Sequence, residues 1–272
     1  MNALISVVVT TYNWPLALTA CLNSLLAQKD QQFEIIIADD GSNTSTQHLI
    51  ADFIKTSPIP ILHAFHADIG FRAGTIRNKA VAMSNGSYIV FLDGDCVVFP
   101  HFISRHRRIS EQGHFVPGNR ILLSESYTSL ALKHQIPLYQ KSISFFIQQR
   151  LKGHLNRILP LVYLPFNNLR YQRPQNWQKA MTCNLGIWKQ DFLSINGFDE
   201  LFQGWGYEDS DLVIRLIHLG IKRKDGRFAL PVLHLWHTQN DRSQHDANYN
   251  RLMERLADAT VIYAQLGVEQ YL

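Results

Sequence analysis

Four short stretches of this 272-residue chain carry side chains whose types and spacing could do chemistry. In "VFLDGDCVV", Asp93 and Asp95 flank a glycine where an apolar run ends. Hard divalent cations take such oxygens, and Mg²⁺ in particular is held by one or two carboxylates plus substrate phosphates. The same pair could instead cap the backbone N–H groups of a turn. In "GWGYEDSDL", Glu208, Asp209 and Asp211 fall within four residues, beside a tryptophan, Trp205, set between two glycines. One reading is a helix start whose acids complement the dipole. The other is a mobile lid carrying a carboxylate general base for an acceptor hydroxyl. "VLHLWHTQND" holds His234 and His237, three residues apart. A zinc site made by the pair alone is disfavoured, because only His245 stands nearby at ligand spacing. An imidazole does suit Mn²⁺ when carboxylates and a diphosphate leave the ion short of ligands.

The fourth stretch, "IIIADDGSNTST", ends in Asp39 and Asp40. A carboxylate beyond the second strand of a βαβ unit commonly accepts hydrogen bonds from a nucleoside. After the first strand, however, "TTYNWP" stands where a dinucleotide fold would place G-x-G-x-x-G. Phosphates here need metal and cationic side chains instead, and Arg72 and Arg77 in "GFRAGTIRNKA" are available.

The elements that must position these groups alternate over residues 1–100. "ISVVVTTY", "FEIIIADDGS", "IPILHAF" and "YIVFLDGD" read as strands, the first two and the last as buried parallel ones. "PLALTACLNSLLAQ", "TQHLIADFIK" and "TIRNKAVAMS" read as helices, with Pro15 suited to a first turn. Alternation of this kind implies an α/β fold with a parallel sheet, whose ligands bind beyond the carboxyl ends of the strands. Those ends carry Thr10 and Tyr12, Asp39 and Asp40, and Asp93 and Asp95.

From residue 101 the pattern changes. Residues 101–179 hold twelve Lys and Arg against Glu111 and Glu125, inside a chain whose net charge is only +4. Such a surplus suits phosphates, an anionic membrane surface or nucleic acid. "SISFFIQQRLKGHLNRILPLVYL" reads as one amphipathic helix ended by Pro160 and Pro165, packed on the domain or touching anionic lipid. Residues 180–272 form compact elements punctuated by glycine, and "RLMERLADATVIYAQLG" reads as a final helix. No run reaches the roughly 18 apolar residues of a spanning helix. The N-terminus has no signal-peptide pattern, and Cys21, Cys96 and Cys183 lack paired spacing, which fits a reducing, cytoplasmic setting.

Taken in order, strand–"TYN", "DDGS", "RN", "DGD" and "GFDE…GWGYEDSDL…H" resemble the family 2 glycosyltransferases of GT-A fold. The C-terminal part is similar to the galactosyltransferase-type segment of bacterial polysaccharide polymerases and β-1,4-galactosyltransferases. The resemblance covers residues 3–100 and 180–245 and leaves the basic stretch between them unmatched. It implies one GT-A domain with a nucleotide-sugar half (1–100) and an acceptor and catalytic half (180–272), between which charge and periodicity place a basic helical insertion (101–179) on the acceptor or membrane side. It further implies an inverting transfer of a hexose or N-acetylhexosamine from a UDP-sugar donor to a glycan or lipid-linked glycan acceptor, in surface polysaccharide or lipopolysaccharide synthesis. By the same resemblance Thr10, Tyr12 and Asp40, with Asp39 nearby, would hold the nucleoside. Arg77 with Arg72 would meet the diphosphate, and Asp93 would lie near the ribose or metal. Asp95, His237 and His234 would bind Mn²⁺ or Mg²⁺, with His237 lying 28 residues after Asp209. Asp209 would be the base, Glu208 an acceptor-binding group and Trp205 the lid tryptophan; Tyr207 stands where that family often has a further glycine.

Two rival readings make different demands. A sugar-nucleotidylyltransferase usually carries a Gly-rich basic loop after the first strand, which "TTYNWPLAL" lacks. A non-catalytic protein binding nucleotide sugar or nucleic acid would use the basic middle, but no aromatic-interleaved RNA motif is visible and no nucleic-acid partner is expected.

Overall fold

The computed structural model describes residues 3–238 and 241–272. The predicted βαβ units are all present in the first hundred residues. Strand β1 (Ile5–Thr11) sends Val7 and Val9 into one core and Val8 into another, so its unbroken β-branched run serves two faces. Helix α1 (Pro15–Leu26) starts on Pro15 and buries Leu18, Cys21, Leu22 and Leu25 in the first of these cores. Strand β2 (Phe33–Asp39) divides its side chains in the same way. Helix α2 (Thr44–Thr56) is capped by Asn43, whose side chain accepts from the Thr46 amide. Strand β3 (Ile61–Phe65), helix α3 (Ala73–Met83) and strand β4 (Tyr88–Asp93) complete the half.

Only two residues after β4 the chain enters β5 (Cys96–Val98), then α4 (Phe102–Ile109), β6 (His114–Pro117), β7 (Asn119–Leu122), α5 (Glu125–Lys133) and α6 (Ile143–Leu151). The last third holds β8 (Asn184–Trp188), α7 (Lys189–Ser194), α8 (Glu208–His218), β9 (Lys222–Arg223), β10 (Pro231–His234) and α9 (His245–Ala257).

The central sheet has the order β3-β2-β1-β4-β8-β6-β9. Its first four strands are parallel, whereas β8 runs antiparallel to both β4 and β6. Register aligns the carboxyl ends, with Thr11 opposite Asp39 and Thr10 opposite Asp93. A smaller sheet, β5-β10-β7, pairs His234 with Cys96, the residue after Asp95.

Three expectations change. Residues 101–179 are not a helical insertion, since β6 lies within the central sheet and β7 is an edge of the small one. The expected long helix stops at Leu151, because Gly153 turns the chain at φ +79° and Leu155 bridges back to Leu123. The final helix spans His245–Ala257 rather than running on to Gly267: Asp258 leaves helical geometry and ties its carboxylate to Thr260 instead. Among the described residues no helix is long and apolar enough to cross a membrane.

Candidate active site

The "DGD" turn is set by a close approach. Gly94 donates its amide to the Thr10 carbonyl at 2.7 Å, and a Cβ on Gly94 would stand 2.9 Å from that oxygen. This contact fixes Asp93 and Asp95 at the mouth between β1 and β4. Antiparallel pairing of β10 with β5 then places His234 beside Asp95, with Nε2 at 3.6 Å from Oδ1, while His237 Nε2 lies 3.5 Å from Oδ2. One ligand atom from each of the three residues lies within 4.8 Å of the others.

The tautomers of the two histidines suit a metal. His234 Nδ1 sits 2.9 Å from the Leu235 carbonyl and His237 Nδ1 sits 2.6 Å from the Thr238 carbonyl. A carbonyl can only accept, so each Nδ1 carries a proton, the tautomer in which an imidazole offers its Nε2 lone pair to a metal on the Asp95 side. One carboxylate and two imidazoles converging in this way fit Mn²⁺ and leave positions for phosphate oxygens.

A second group of acids faces the same cavity. Helix α8 begins at Glu208, preceded by Tyr207 in the left-handed region at φ +69°, a conformation more natural to glycine. Glu208 and Asp209 turn to the cavity, whereas Asp211 is fully buried and paired with Arg215 and Arg255. The motif's three acids therefore divide, two facing the cavity and one supporting the fold. Thr182 holds Asp209 with two bonds, its amide donating to Oδ2 at 3.0 Å and its hydroxyl to Oδ1 at 2.6 Å. No sequence signal marked Thr182; it precedes β8, whose antiparallel run brings its start to the carboxyl end of β4.

Arg77 joins the two acid groups. Its guanidinium contacts Asp93 at 3.1 Å and both Glu208 and Asp209 at 3.6 Å, and its Nε donates to the Thr10 hydroxyl at 3.0 Å. Burial pulls this guanidinium down, but the charges of Asp209, Asp93 and Glu208 outweigh that and raise it. Burial likewise raises Asp209 against the pull of Arg77 and Thr182. Burial, with repulsion from Asp209, pushes Glu208 up to about 7.

Toward β2, Asp40 meets His66 Nε2 at 2.7 Å and accepts the Arg72 amide at 2.9 Å. Asp39 faces away, fully buried, accepting the Ser42 amide and meeting His63. Tyr12 is half exposed and donates its hydroxyl to Asp68. Thr10, Tyr12, Asp40, Arg77, Asp93, Asp95, Trp205, Glu208, Asp209, His234 and His237 line one cavity of about 390 Å³, a size suited to a small-molecule ligand. Asp39 and Arg72 are not among its lining residues. Arg120 of the basic stretch is.

The model of glycosyl transferase family 2 matches residues 6–163, and that of the N-terminal domain of galactosyltransferase matches residues 165–238. Validoxylamine A glucosyltransferase of Streptomyces hygroscopicus subsp. jinggangensis is 25% identical over 260 residues, covering 92% of this chain and 58% of that protein. Chondroitin synthase of Escherichia coli is 22% identical over 230 residues, covering 79% of this chain and 32% of that one. The chain thus spans 58% and 32% of the length of these two relatives. S. aureus TarS 1-349, solved in complex with UDP, superposes with a TM-score of 0.62 at 13% identity, covering 98% of this chain and 68% of the other. The mannosyltransferase PcManGT of Pyrobaculum calidifontis, solved in complex with GDP-Man and Mn²⁺, gives 0.57 at 14% identity, covering 95% and 64%. These likenesses show the GT-A fold. With more than half of its residues inside the first family match, the chain belongs to glycosyl transferase family 2.

Proposed function

We propose that this protein transfers a hexose or N-acetylhexosamine from a UDP-sugar to a hydroxyl of a glycan or lipid-linked glycan, with inversion at the anomeric carbon and dependence on a divalent ion. The observation that carries the reading is one cavity in which the Asp95–His234–His237 cluster faces, across Arg77, the Glu208–Asp209 pair. Asp95, His234 and His237 would hold Mn²⁺ or Mg²⁺, which supplies positive charge against the leaving diphosphate when bound.

The chain's own residues account for the rest. Asp209 accepts the acceptor hydroxyl's proton while the oxygen forms its bond to C1. The C1–phosphate oxygen bond breaks on the opposite face, and the diphosphate leaves with the electron pair. Thr182 holds the Asp209 carboxylate in orientation. Glu208, close to half protonated near neutral pH, can donate to or accept from acceptor hydroxyls. Tyr12, Thr10 and Asp40 border the nucleoside position, with Asp39 supporting that turn from behind and Arg72 holding the Asp40 carboxylate through its backbone amide. Trp205, carried between two glycines of positive φ, covers the sugar.

The relative named a chondroitin synthase supports a polysaccharide setting, here surface polysaccharide such as lipopolysaccharide. Three free buried cysteines support the cytoplasm. The exposed apolar side of α6 supports peripheral contact with the inner, anionic leaflet of the plasma membrane. The deciding experiment is a thermal-shift panel of UDP-, GDP- and TDP-sugars, with and without Mn²⁺. Stabilisation by UDP-sugars that requires Mn²⁺ is expected. A shift confined to GDP-sugars would overturn the uridine assignment, and one indifferent to metal would overturn the ion site.

A further inference from the structure

Two arginines line the cavity, and they stand in opposite circumstances. Arg77 is held among Asp93, Glu208 and Asp209. The Arg120 guanidinium has no hydrogen-bond, ion-pair or ring partner among the described residues, although the side chain is only partly exposed. Its backbone, by contrast, is pinned. The Arg157 guanidinium donates twice to the Arg120 carbonyl, at 3.1 and 2.6 Å, the Asn119 amide donates to the Leu230 carbonyl, and the Leu122 amide donates to the Asn156 side chain. Position along the strand fixes its face. Arg120 pairs with Val232 in parallel register, so it shares a face of the small sheet with His234, while Ile121 and Leu123 enter the core on the other side.

A half-buried guanidinium that has lost part of its hydration and gained no partner is costly in isolation. A ligand oxyanion removes that cost, because the planar fork matches a phosphate or carboxylate edge. Other arginines of this chain are satisfied internally: Arg107 by Asp30, Arg170 by three carbonyls and Arg215 by Asp211. Of the cavity's carboxylates, Asp93, Glu208 and Asp209 already have Arg77, Asp40 has His66 and Asp95 has the two histidines, so among the described residues Arg120 is the arginine left for an incoming anion.

We propose that Arg120 binds a phosphoryl or carboxylate oxygen of a ligand in this cavity, on the wall that carries His234. The inference deepens the nucleotide-sugar reading by naming the cation that meets the anion. The anion can be the donor's diphosphate or an anionic group on the acceptor, and one calorimetric series separates the two. In the presence of Mn²⁺, the whole chain and its Arg120→Gln and Arg120→Lys variants are titrated with uridine, UDP, GDP and pyrophosphate. The UDP-loaded proteins are then titrated with inorganic phosphate.

If the diphosphate is the partner, Arg120→Gln weakens UDP and pyrophosphate by roughly tenfold or more and leaves uridine unchanged. If an acceptor anion is the partner, UDP is unchanged and phosphate binding to the UDP-loaded protein is lost. Arg120→Lys retains part of either. Unchanged binding of UDP, pyrophosphate and phosphate by a variant with the parent's melting temperature overturns the proposal. Should the parent bind neither UDP nor GDP, the nucleotide-sugar reading fails by itself. Pyrophosphate and phosphate titrations on the nucleotide-free chain then still decide the role of Arg120.

Discussion

Asp209 receives the Thr182 hydroxyl and the Arg77 guanidinium on Oδ1 and the Thr182 amide on Oδ2, which leaves one lone-pair direction on Oδ2 for a substrate proton. Asp209→Asn keeps that shape and removes the basicity. Turnover is expected to fall by about 10²–10⁴-fold, while UDP affinity by calorimetry stays within about twofold of the parent. Near-full turnover would remove Asp209 from its role. Glu208 gives a pH-dependent prediction. Its folded carboxyl binds a proton more readily than the unfolded one, being raised from an ordinary 4.5 to about 7. Wild-type stability from this group is therefore greatest below about pH 4.5 and is lost as pH rises toward 7. Glu208→Gln should melt a few degrees higher than wild type at pH 8 and show no advantage at pH 4.5. An equal difference at both pH values would contradict it. At this scale the acids and histidines were legible, because each sits in a short motif at a strand or helix end. Thr182 and Arg120 were not, since each reaches the cavity through a strand pairing that no local pattern announces. Within "DDGS", spacing could not say which aspartate faces the ligand; alternation along β2 sends Asp39 inward to Ser42 and His63.

The elements that aim these residues are short turns with little steric tolerance. Gly94 is the clearest case, since a methyl there meets the Thr10 oxygen at 2.9 Å and the Thr11 Cβ at 3.3 Å. Gly94→Ala must push β4 away from β1 and carry Asp93 and Asp95 with it. Mn²⁺-dependent UDP binding should weaken at least about tenfold, with far-UV circular dichroism unchanged because the strands themselves persist. Retained Mn²⁺ dependence would show that the turn can relax without moving Asp95. The tryptophan loop is held differently. Gly204 and Gly206 take positive φ, and Tyr207 joins them at φ +69° while its hydroxyl meets His245 Nε2 at 3.0 Å. The tyrosine thus adopts a glycine-like backbone and fastens the loop to α9. Elements with long regular periodicity were readable, as in β1, α1 and β2. Those whose limits depend on one backbone angle were not: Gly153 halves the expected long helix, a consequence of a turn rather than of hydropathy.

At the scale of the whole molecule, the basic stretch resolves into cations with separate tasks. Arg107 pairs with Asp30, Arg105 and Arg157 donate to carbonyls, and Arg170 fastens the chain around Asp225 and Arg227. Arg120 enters the cavity. The segment's two four-residue strands are too short to be recognised without their partners, yet they integrate it into both sheets, so its charge was a poor guide to its architecture. Helix α6 buries Phe146 in the core that holds Ile121 and Leu123 and turns Ile143, Ile147 and Leu151 to solvent, at 59, 42 and 83% exposure. These three follow at i, i+4 and i+8, so they form one stripe, and Lys141, Arg150 and Lys152 flank it in sequence. Apolar side chains with basic neighbours complement an anionic leaflet, each buried side chain adding transfer energy and each cation roughly 1 kcal/mol near the surface. The chain should therefore cosediment with vesicles containing phosphatidylglycerol, less with pure phosphatidylcholine, and less again in high salt. Replacing Ile143, Ile147 and Leu151 together by Ser should abolish cosedimentation and leave UDP binding intact, because none of the three lines the cavity. Sedimentation indifferent to lipid charge, to salt and to the triple substitution would assign this stripe to a protein partner or a further domain instead.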